Sequence, residues 1–307
     1  MNAQQDIYFK SIHDFLRVFP DEQACINHLE QIRWNGVIVS PFDETSKVYK
    51  CAGNKFKCKN TGKYFNAKTG TIFESTNIKL MKWFLALYVF SSHKKGISSY
   101  QLAKDIDVTQ KSAWFMLHRL RYAFGNTEDN EYSSIVEVDE AYIGGDDKNK
   151  HASKKTGVRG RNHVVKTPVL GIKDRRTGTV KATVIPDTKA ETLLPFIYDN
   201  VEKGGIVCTD ENRAYFNLKN DYSHAKVMHS AKEYVNGVFH TNGIENFWSH
   251  LKRGIDGIYH WVSREHLQSY VNEYALRYNT RTFSTSSRFD YILSNMTCRL
   301  TYKELTK

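Results

Sequence analysis

Apolar residues recur at helical intervals through the start of the chain: Phe15, Val18 and Phe19, then Ile26, Leu29 and Ile32. The spacing predicts two helices within residues 1–36, separated at Pro20, which lacks the backbone donor a helix interior needs. Asp21 is placed to cap the second helix and Gly36 to end it. From residue 37 to 73 the pattern shortens to β-type runs, VIVS, KVYKCAG, KFKCK and KYFNA, set between Gly-, Asn- and Asp-containing turns. These predict a small β-ribbon. Residues 78–91 then read as an apolar, buried helix. After Gly96, Leu102, Ala103 and Ile106 mark a helix capped by Ser98 or Ser99. Ala113, Met116, Leu117 and Leu120 mark another, capped by Thr109. The tight link at Asp107–Val108 gives the pair a helix-turn-helix pattern, a pattern that a plain packing hairpin shares.

A polar, acidic stretch near residue 126 marks a boundary. Beyond it come a strand in SIVEVDEAYIGG, a hairpin in VVKTPVLGIKDRRTGTVKATVIP turned at Arg-Thr-Gly, and a helix in ETLLPFIYDNV. A strand in GGIVCTDENRAY then leads into a loop and helix. Strand, hairpin, helix, strand, helix describes a mixed α/β domain. Three domains are expected: 1–75, N-terminal helices and β segment; 76–126, the helix-turn-helix-like region; 127–307, the α/β domain.

Composition adds a partner class. The 307 residues carry a net charge of +11 with a pI near 9.2, which favours a polyanion, since Lys and Arg placed on phosphates release condensed counterions. Seven lysines and no acid lie between positions 47 and 68, making the ribbon basic. Seven Lys or Arg and no acid lie between 148 and 166, in a Gly-, Ser- and Asn-containing stretch that reads as a basic loop. Cysteines at 25, 51, 58, 208 and 298 are odd in number and form no C-x-x-C pair, which argues against a disulfide framework. The N-terminus MNAQQDIYFKSIHDF lacks a signal-peptide apolar run, and the apolar stretch Trp83–Phe90 is too short to span a bilayer. A reduced, cytoplasmic protein without membrane association is expected.

Candidate chemistry rests on carboxylates. Alternation along SIVEVDEAYI puts Glu137 and Asp139 on one face, with Val136, Val138 and Glu140 on the other. An acid inside a β-branched run is costly to bury unless it is paired or binds a cation. Asp210 ends the apolar run Ile206, Val207, Cys208, where it could face a cleft or simply cap the next helix. In HTNGIENFWSHLKRG, Thr241 or Asn242 can cap a helix with Ile244, Phe247, Trp248 and Leu251 as its buried stripe. Glu245 and Lys252, two turns apart, then project from nearly the same face. Three oxygen-donor acids from distant parts of the chain suit a pair of magnesium ions, which phosphodiester chemistry uses on the attacking and leaving oxygens.

The strings VEVDEAYIGG (136–145), TDENRAY (209–215) and HTNGIENFWSHLKRG (240–254) resemble the catalytic domain of DDE transposases from bacterial insertion sequences, the ISXO-two-like group. The resemblance continues through YHWVSREHLQSY (259–270) and RYNTR (277–281), and upstream through TGTIFE (69–74) and residues 95–121, covering nearly the whole chain. It implies a ribonuclease H-like fold, a mixed sheet flanked by helices. It implies Asp139 as first acid, on the first strand, and Asp210 as second, at the end of the fourth and 71 residues on. Glu245 would be the third, 35 residues further, with Lys252 as the associated basic residue. Asn242 is retained as a supporting or substitute ligand, because relatives sometimes present Asn in the third role. His229 and His240 match motif positions as structural or DNA-contacting residues. Relatives carry an N-terminal zinc ribbon of two C-x-x-C pairs. Here the pairs read Ser40-Pro41-Phe42-Asp43 and Cys58-Lys59-Asn60-Thr61, so three of four ligands are missing and no zinc is expected.

The implied reaction is Mg²⁺- or Mn²⁺-dependent hydrolysis at the ends of the element, then attack of the freed 3′-hydroxyl on target DNA. Implied partners are double-stranded DNA, both element ends and target, and a homodimer or higher assembly on it, at the bacterial nucleoid. The ribbon and the helix carrying Gln110, Lys111, Arg119 and Arg121 are expected to read the ends. Lys154, Lys155, Arg159 and Arg161 of the basic loop are expected to clamp DNA. Two rivals are a metal-dependent nuclease without joining activity and a decayed or repurposed transposase that only binds DNA.

Overall fold

The computed structural model describes residues 8–126, 132–145, 151–155, 166–227 and 239–306. They belong to two compact units, Met1–Thr127 with Thr282–Lys307, and Glu128–Arg281.

The first unit begins with α1 (Ile12–Val18), α2 (Glu22–Trp34), the sheet of β1 (Val48–Cys51), β2 (Lys55–Cys58) and β3 (Tyr64–Phe65), α3 (Leu80–Ser92), α4 (Ser99–Asp105) and α5 (Gln110–Ala123). The second holds β4 (Ile135–Ile143), β5 (Thr167–Asp174), β6 (Val180–Val184), α6 (Ala190–Tyr198), β7 (Ile206–Thr209), β8 (Ser223–Lys226), α7 (Asn242–Gly254) and α8 (Arg264–Asn279). α9 (Thr285–Ser294) and α10 (Tyr302–Leu305) complete the first unit.

Caps follow the polar residues that flank each apolar run. Asp21, Ser98 and Thr109 each accept a backbone N–H of the helix they open, α2, α4 and α5. α2 stops at Asn35, which takes the left-handed conformation (φ 44°), one residue before Gly36. The link between α4 and α5 turns through Asp107 at φ 51°. Residues 282–307, expected in the α/β domain, return instead to the first unit. The ring of Phe289 packs against those of Phe9, Phe15, Phe19 and Phe84, and Asp290 Oδ1 lies 2.9 Å from His28 Nε2. That long-range aromatic cluster leaves no local signature in the sequence.

The same core corrects two DNA contacts expected of α5. Arg119 is buried and donates to the carbonyls of Ile72 (2.6 Å), Leu300 (3.0 Å) and Glu74 (3.2 Å). Arg121 is 1% exposed. Both guanidinium groups sit in the interior, where no phosphate reaches them. Gln110 donates to Ser99 at 2.9 Å, and Lys111 remains exposed.

In the ribbon, the segments around residues 40–43 and 58–61 are joined by hydrogen bonds. The hydroxyls of Ser40, Ser46 and Thr61 surround the Cys58 thiol, and Asn60 donates to Asp43 at 2.8 Å. Ribbons that depend on zinc unfold when it is chelated. Here a strong chelator is expected to leave the melting curve unchanged, and purified protein to contain no stoichiometric zinc. Chelator-induced melting would contradict this.

The second unit is a five-stranded sheet ordered β6-β5-β4-β7-β8. β5 runs antiparallel to both of its neighbours, β4 and β6, whereas β7 is parallel to β4 and β8 to β7. On one face Val136, Val138, Leu170 and Ile172 pack against Leu193 and Ile197 of α6. On the other, Ala141, Ile143, Val169 and Ala182 pack against Ile244, Phe247 and Leu251 of α7 and Leu267 and Val271 of α8. A layer of helices therefore covers each face, and the central strand β4 is apolar on both sides except at its acids.

Candidate active site

β4 and β7 pair in parallel with Ile135 opposite Ile206, Val136 opposite Val207 and Glu137 opposite Cys208. The register offset is 71 residues, the same as the separation of Asp139 and Asp210. Continuing the pairing two steps therefore brings Asp210 level with Asp139, just where β7 ends. A parallel pair with an abrupt end leaves such side chains at the carboxyl edge of the sheet, where α/β proteins form their clefts. Asp210 Oδ1 accepts the backbone N–H of Asn212 at 2.9 Å, and Asn212 caps the 3₁₀ turn that follows. Capping thus falls to Asn212, which also donates to Glu140 at 3.1 Å.

Glu140 is the residue that sequence reasoning left out of the site. Alternation puts it on the α6 side of the sheet, away from Asp139. Beyond the end of β7, however, its longer side chain reaches Asp210, and oxygens of Asp139, Glu140 and Asp210 all lie within 4.8 Å of one another. The adjacent Asp-Glu pair beside a terminating strand was the available signal.

Concentrated negative charge away from water penalises ionisation. Burial, reinforced by the charge of Asp210, pushes the Asp139 carboxyl up to about 7. Burial likewise pushes Glu140 up to about 8, with the charges of Asp210 and Asp139 adding to it and the neighbouring Tyr215 phenol and the Asn212 amide opposing it. The buried Tyr215 phenol is raised well above its ordinary value, by burial first and then by Glu140.

These shifts fix a pH dependence. Carboxyls whose folded pKa is raised bind more protons in the folded than in the unfolded state once the pH exceeds the unfolded value. Their stabilising protons are fully present below about pH 4 and are lost as pH rises through about 7 and 8. Without divalent metal, the melting temperature of the second unit is therefore expected to fall between pH 5 and pH 8. Millimolar Mn²⁺ should restore it at pH 8, because a ligand bound only by the folded state stabilises that state. A flat profile would contradict this.

α7 brings the remaining residues. Its apolar stripe Ile244, Phe247, Trp248 and Leu251 is buried, and Trp248 lies over β5 at Gly171, the residue paired with Asp139. A Cβ at Gly171 would fall 2.6 Å from the indole, so only glycine admits the ring there. The Trp248 Nε1–H donates to Asp139 Oδ2 at 3.0 Å. Residues 241, 245, 248 and 252 form one row along the helix at spacings of three and four. The row that meets Asp139 through Trp248 therefore also carries Glu245 and Lys252. Glu245 is exposed, accepts from Thr241 Oγ1 at 3.1 Å, and lies near enough for its charge to raise the Asp139 pKa. Lys252 is exposed two turns on, and Asn242 is exposed as the first residue of the helix.

Asp139 and Asp210 are thus brought together, joined by Glu140, while Glu245 on α7 stands outside that cluster, with its charge felt at Asp139. His240 lies beside Glu137, its Nδ1 3.5 Å from Oε1. Lys155 is exposed. His229, Arg159, Arg161 and the side chain of Lys154 lie outside the described residues. The all-oxygen donor set and its uncompensated charge fit a hard divalent cation, which prefers carboxylates and would relieve their repulsion. Among the described residues no helix is long and apolar enough to cross a membrane.

Comparison with known proteins shows the family. Residues 131–279, which span the acids and α7, match the model of the ISXO2-like transposase domain. A protein of the transposable element ISH50 in Halobacterium salinarum is 30% identical over 278 residues, covering 85% of this chain and 92% of that protein. A transposase-like protein of Haemophilus influenzae is 35% identical over 101 residues, 33% of this chain and 80% of its own. The crystal structure of a pre-cleavage Mos1 transpososome aligns with 69% of this chain and 78% of that one, at 11% identity and a TM-score of 0.27, too low to bear on the fold. With a domain match across the acid cluster and a relative similar over nearly its full length, this chain belongs to the ISXO2-like family of insertion-sequence transposases.

Proposed function

We propose that the chain cuts DNA at the ends of its insertion element and joins the freed 3′-hydroxyl to target DNA, with two divalent cations, Mg²⁺ or Mn²⁺, held by Asp139, Asp210 and Glu245. The observation that carries this reading is the convergence of Asp139, Glu140 and Asp210 oxygens within 4.8 Å at the edge of the sheet. The strand order β6-β5-β4-β7-β8, third-second-first-fourth-fifth within the unit, supports a ribonuclease H-like fold.

Bound cations would supply positive charge at the attacking and leaving oxygens of the phosphodiester. The protein's part is geometric and electrostatic. Asp139 and Asp210 present oxygens from adjacent strands, and Trp248 fixes the orientation of Asp139 through its indole N–H. Glu245 approaches from α7. Its role as third acid competes with Glu140, which lies in the tight cluster, and with Asn242 one turn earlier. Lys252, on the row of Glu245, is placed to meet a phosphate. Lys111 and Gln110 on α5, the lysines of the ribbon, and Lys154, Lys155, Arg159 and Arg161 supply the DNA contacts. Two element ends require at least two copies of the chain on DNA, acting at the nucleoid.

The test is incubation of end-bearing duplex with Mg²⁺ or Mn²⁺ and mapping of the cut strand. Cleavage leaving a 3′-hydroxyl at the element boundary supports the reading. Binding without cleavage under permissive salt and metal would leave a DNA-binding relic.

A further inference from the structure

Glu137 lies two residues before Asp139 on β4, and its side chain is 0% exposed. A carboxylate buried alone at that position would be strongly destabilising. Two donors hold it. The Nε–H of Arg175, just after β5, donates to Oε1 at 2.7 Å, and the backbone N–H of Ile244, in the first turn of α7, donates to Oε2 at 2.9 Å. The other arm of Arg175 donates to the carbonyl of His240 at 2.6 Å.

The pair therefore grips the entry to α7 at residues 240 and 244, on either side of Thr241, whose hydroxyl donates to Glu245. Gly243 makes the close approach possible, since a Cβ there would fall 2.7 Å from a Glu137 carboxylate oxygen. One turn after Ile244, Trp248 donates to Asp139. Glu245 thus sits between two points at which α7 is bonded to acids of a single strand, Glu137 and Asp139. Hydrogen-bonded partners that orient ligating residues commonly influence metal affinity nearly as much as some ligands do.

We propose that Glu137 and Arg175 are positioning residues, which fix the start of α7 on β4 so that Glu245 is held facing Asp139 and Asp210. The proposal rests on the reading of those three acids as the cation-holding set. Neither residue contacts DNA in this scheme. Their effect is on the register between the helix and the strand.

The experiment uses the full-length, DNA-free protein with Mn²⁺ as probe, at a temperature well below melting. Glu137→Gln and Arg175→Lys are each expected to weaken Mn²⁺ binding by about 10-fold or more and to speed amide exchange at residues 242–246. In the joining reaction kcat should fall while KM for DNA is unchanged. Glu273→Gln serves as a structural control. That buried carboxylate binds Arg277 and Tyr259 elsewhere in the same unit, so the variant should melt earlier yet bind Mn²⁺ as wild type does. If Glu137→Gln does not fold, Arg175→Lys decides, because it keeps the charge beside Glu137 but cannot span both Glu137 and the His240 carbonyl. Wild-type Mn²⁺ affinity in the folded clamp variants would overturn the proposal while leaving the cation reading intact. Wild-type affinity unaffected by Asp139→Asn would overturn the cation reading, and the clamp with it.

Discussion

Asparagine in place of Asp139 is expected to give a protein that is catalytically silent and, in the absence of metal at pH 8, more stable than wild type. Losing one carboxylate from a cation-holding set removes several kcal/mol of charge stabilisation from the transition state, which corresponds to about 10³-fold or more in the rate of cleavage and joining. The stability change has the opposite sign. Asp139 is a half-buried acid whose ionisation is opposed by burial and by Asp210, so at pH 8 the folded, metal-free protein carries an unfavourable charge that asparagine lacks. The amide oxygen can still accept from Trp248, so the anchor of α7 survives. Cleavage rate and melting temperature measured on one preparation separate the cases. An ordinary structural aspartate would lose stability along with activity, and an irrelevant one would change neither.

The second large effect concerns stability alone. Arg119→Ala is expected to destabilise the first unit by about 3–5 kcal/mol, because two buried carbonyls and a part-buried one lose charge-assisted hydrogen bonds and a cavity remains. Those carbonyls belong to Ile72, Glu74 and Leu300, which span the unit from the ribbon's exit to the C-terminus. Lys111→Ala, at an exposed position on the same helix, should leave stability within about 0.5 kcal/mol. It should also weaken DNA binding and reduce its salt dependence by one phosphate contact, about 1 unit of slope. Denaturant unfolding and salt-dependent binding of the two variants check the assignment. Equal melting with weakened DNA binding in Arg119→Ala would return that arginine to the DNA surface.

These two residues show what the sequence made legible and where it stopped. Asp139 and Asp210 were legible as candidates because an acid stands out in an apolar, β-branched run, within β4 for Asp139 and just past the end of β7 for Asp210. Their separation equals the register offset of β4 and β7, so a number visible in the chain already encodes the pairing. α7 was legible for the same reason, its apolar stripe and its Glu245–Lys252 row both being properties of one helix. Arg119 was misread because an arginine on an amphipathic helix looks the same whether solvent or a distant carbonyl lies beyond it. The partners that bury it, 45 to 181 residues away, carry no local mark. Glu140 and Glu137 were hidden by the alternation rule itself. It assigns faces correctly but says nothing of where a neighbouring strand ends or which helix start seeks a carboxylate. The return of residues 282–307 to the first unit likewise depends on Phe289 and Asp290 meeting rings and a histidine near the opposite end of the chain.

The central claim is that the acid cluster makes this transposase a strand-joining enzyme. It is tested most directly with a pre-cut element end, its 3′-hydroxyl free, incubated with target plasmid and Mn²⁺ and either wild type or Asp210→Ala. Joined product from wild type alone, with equal DNA binding by both proteins, is the expected result. Joining by both proteins, or by neither when both bind the end, would contradict it.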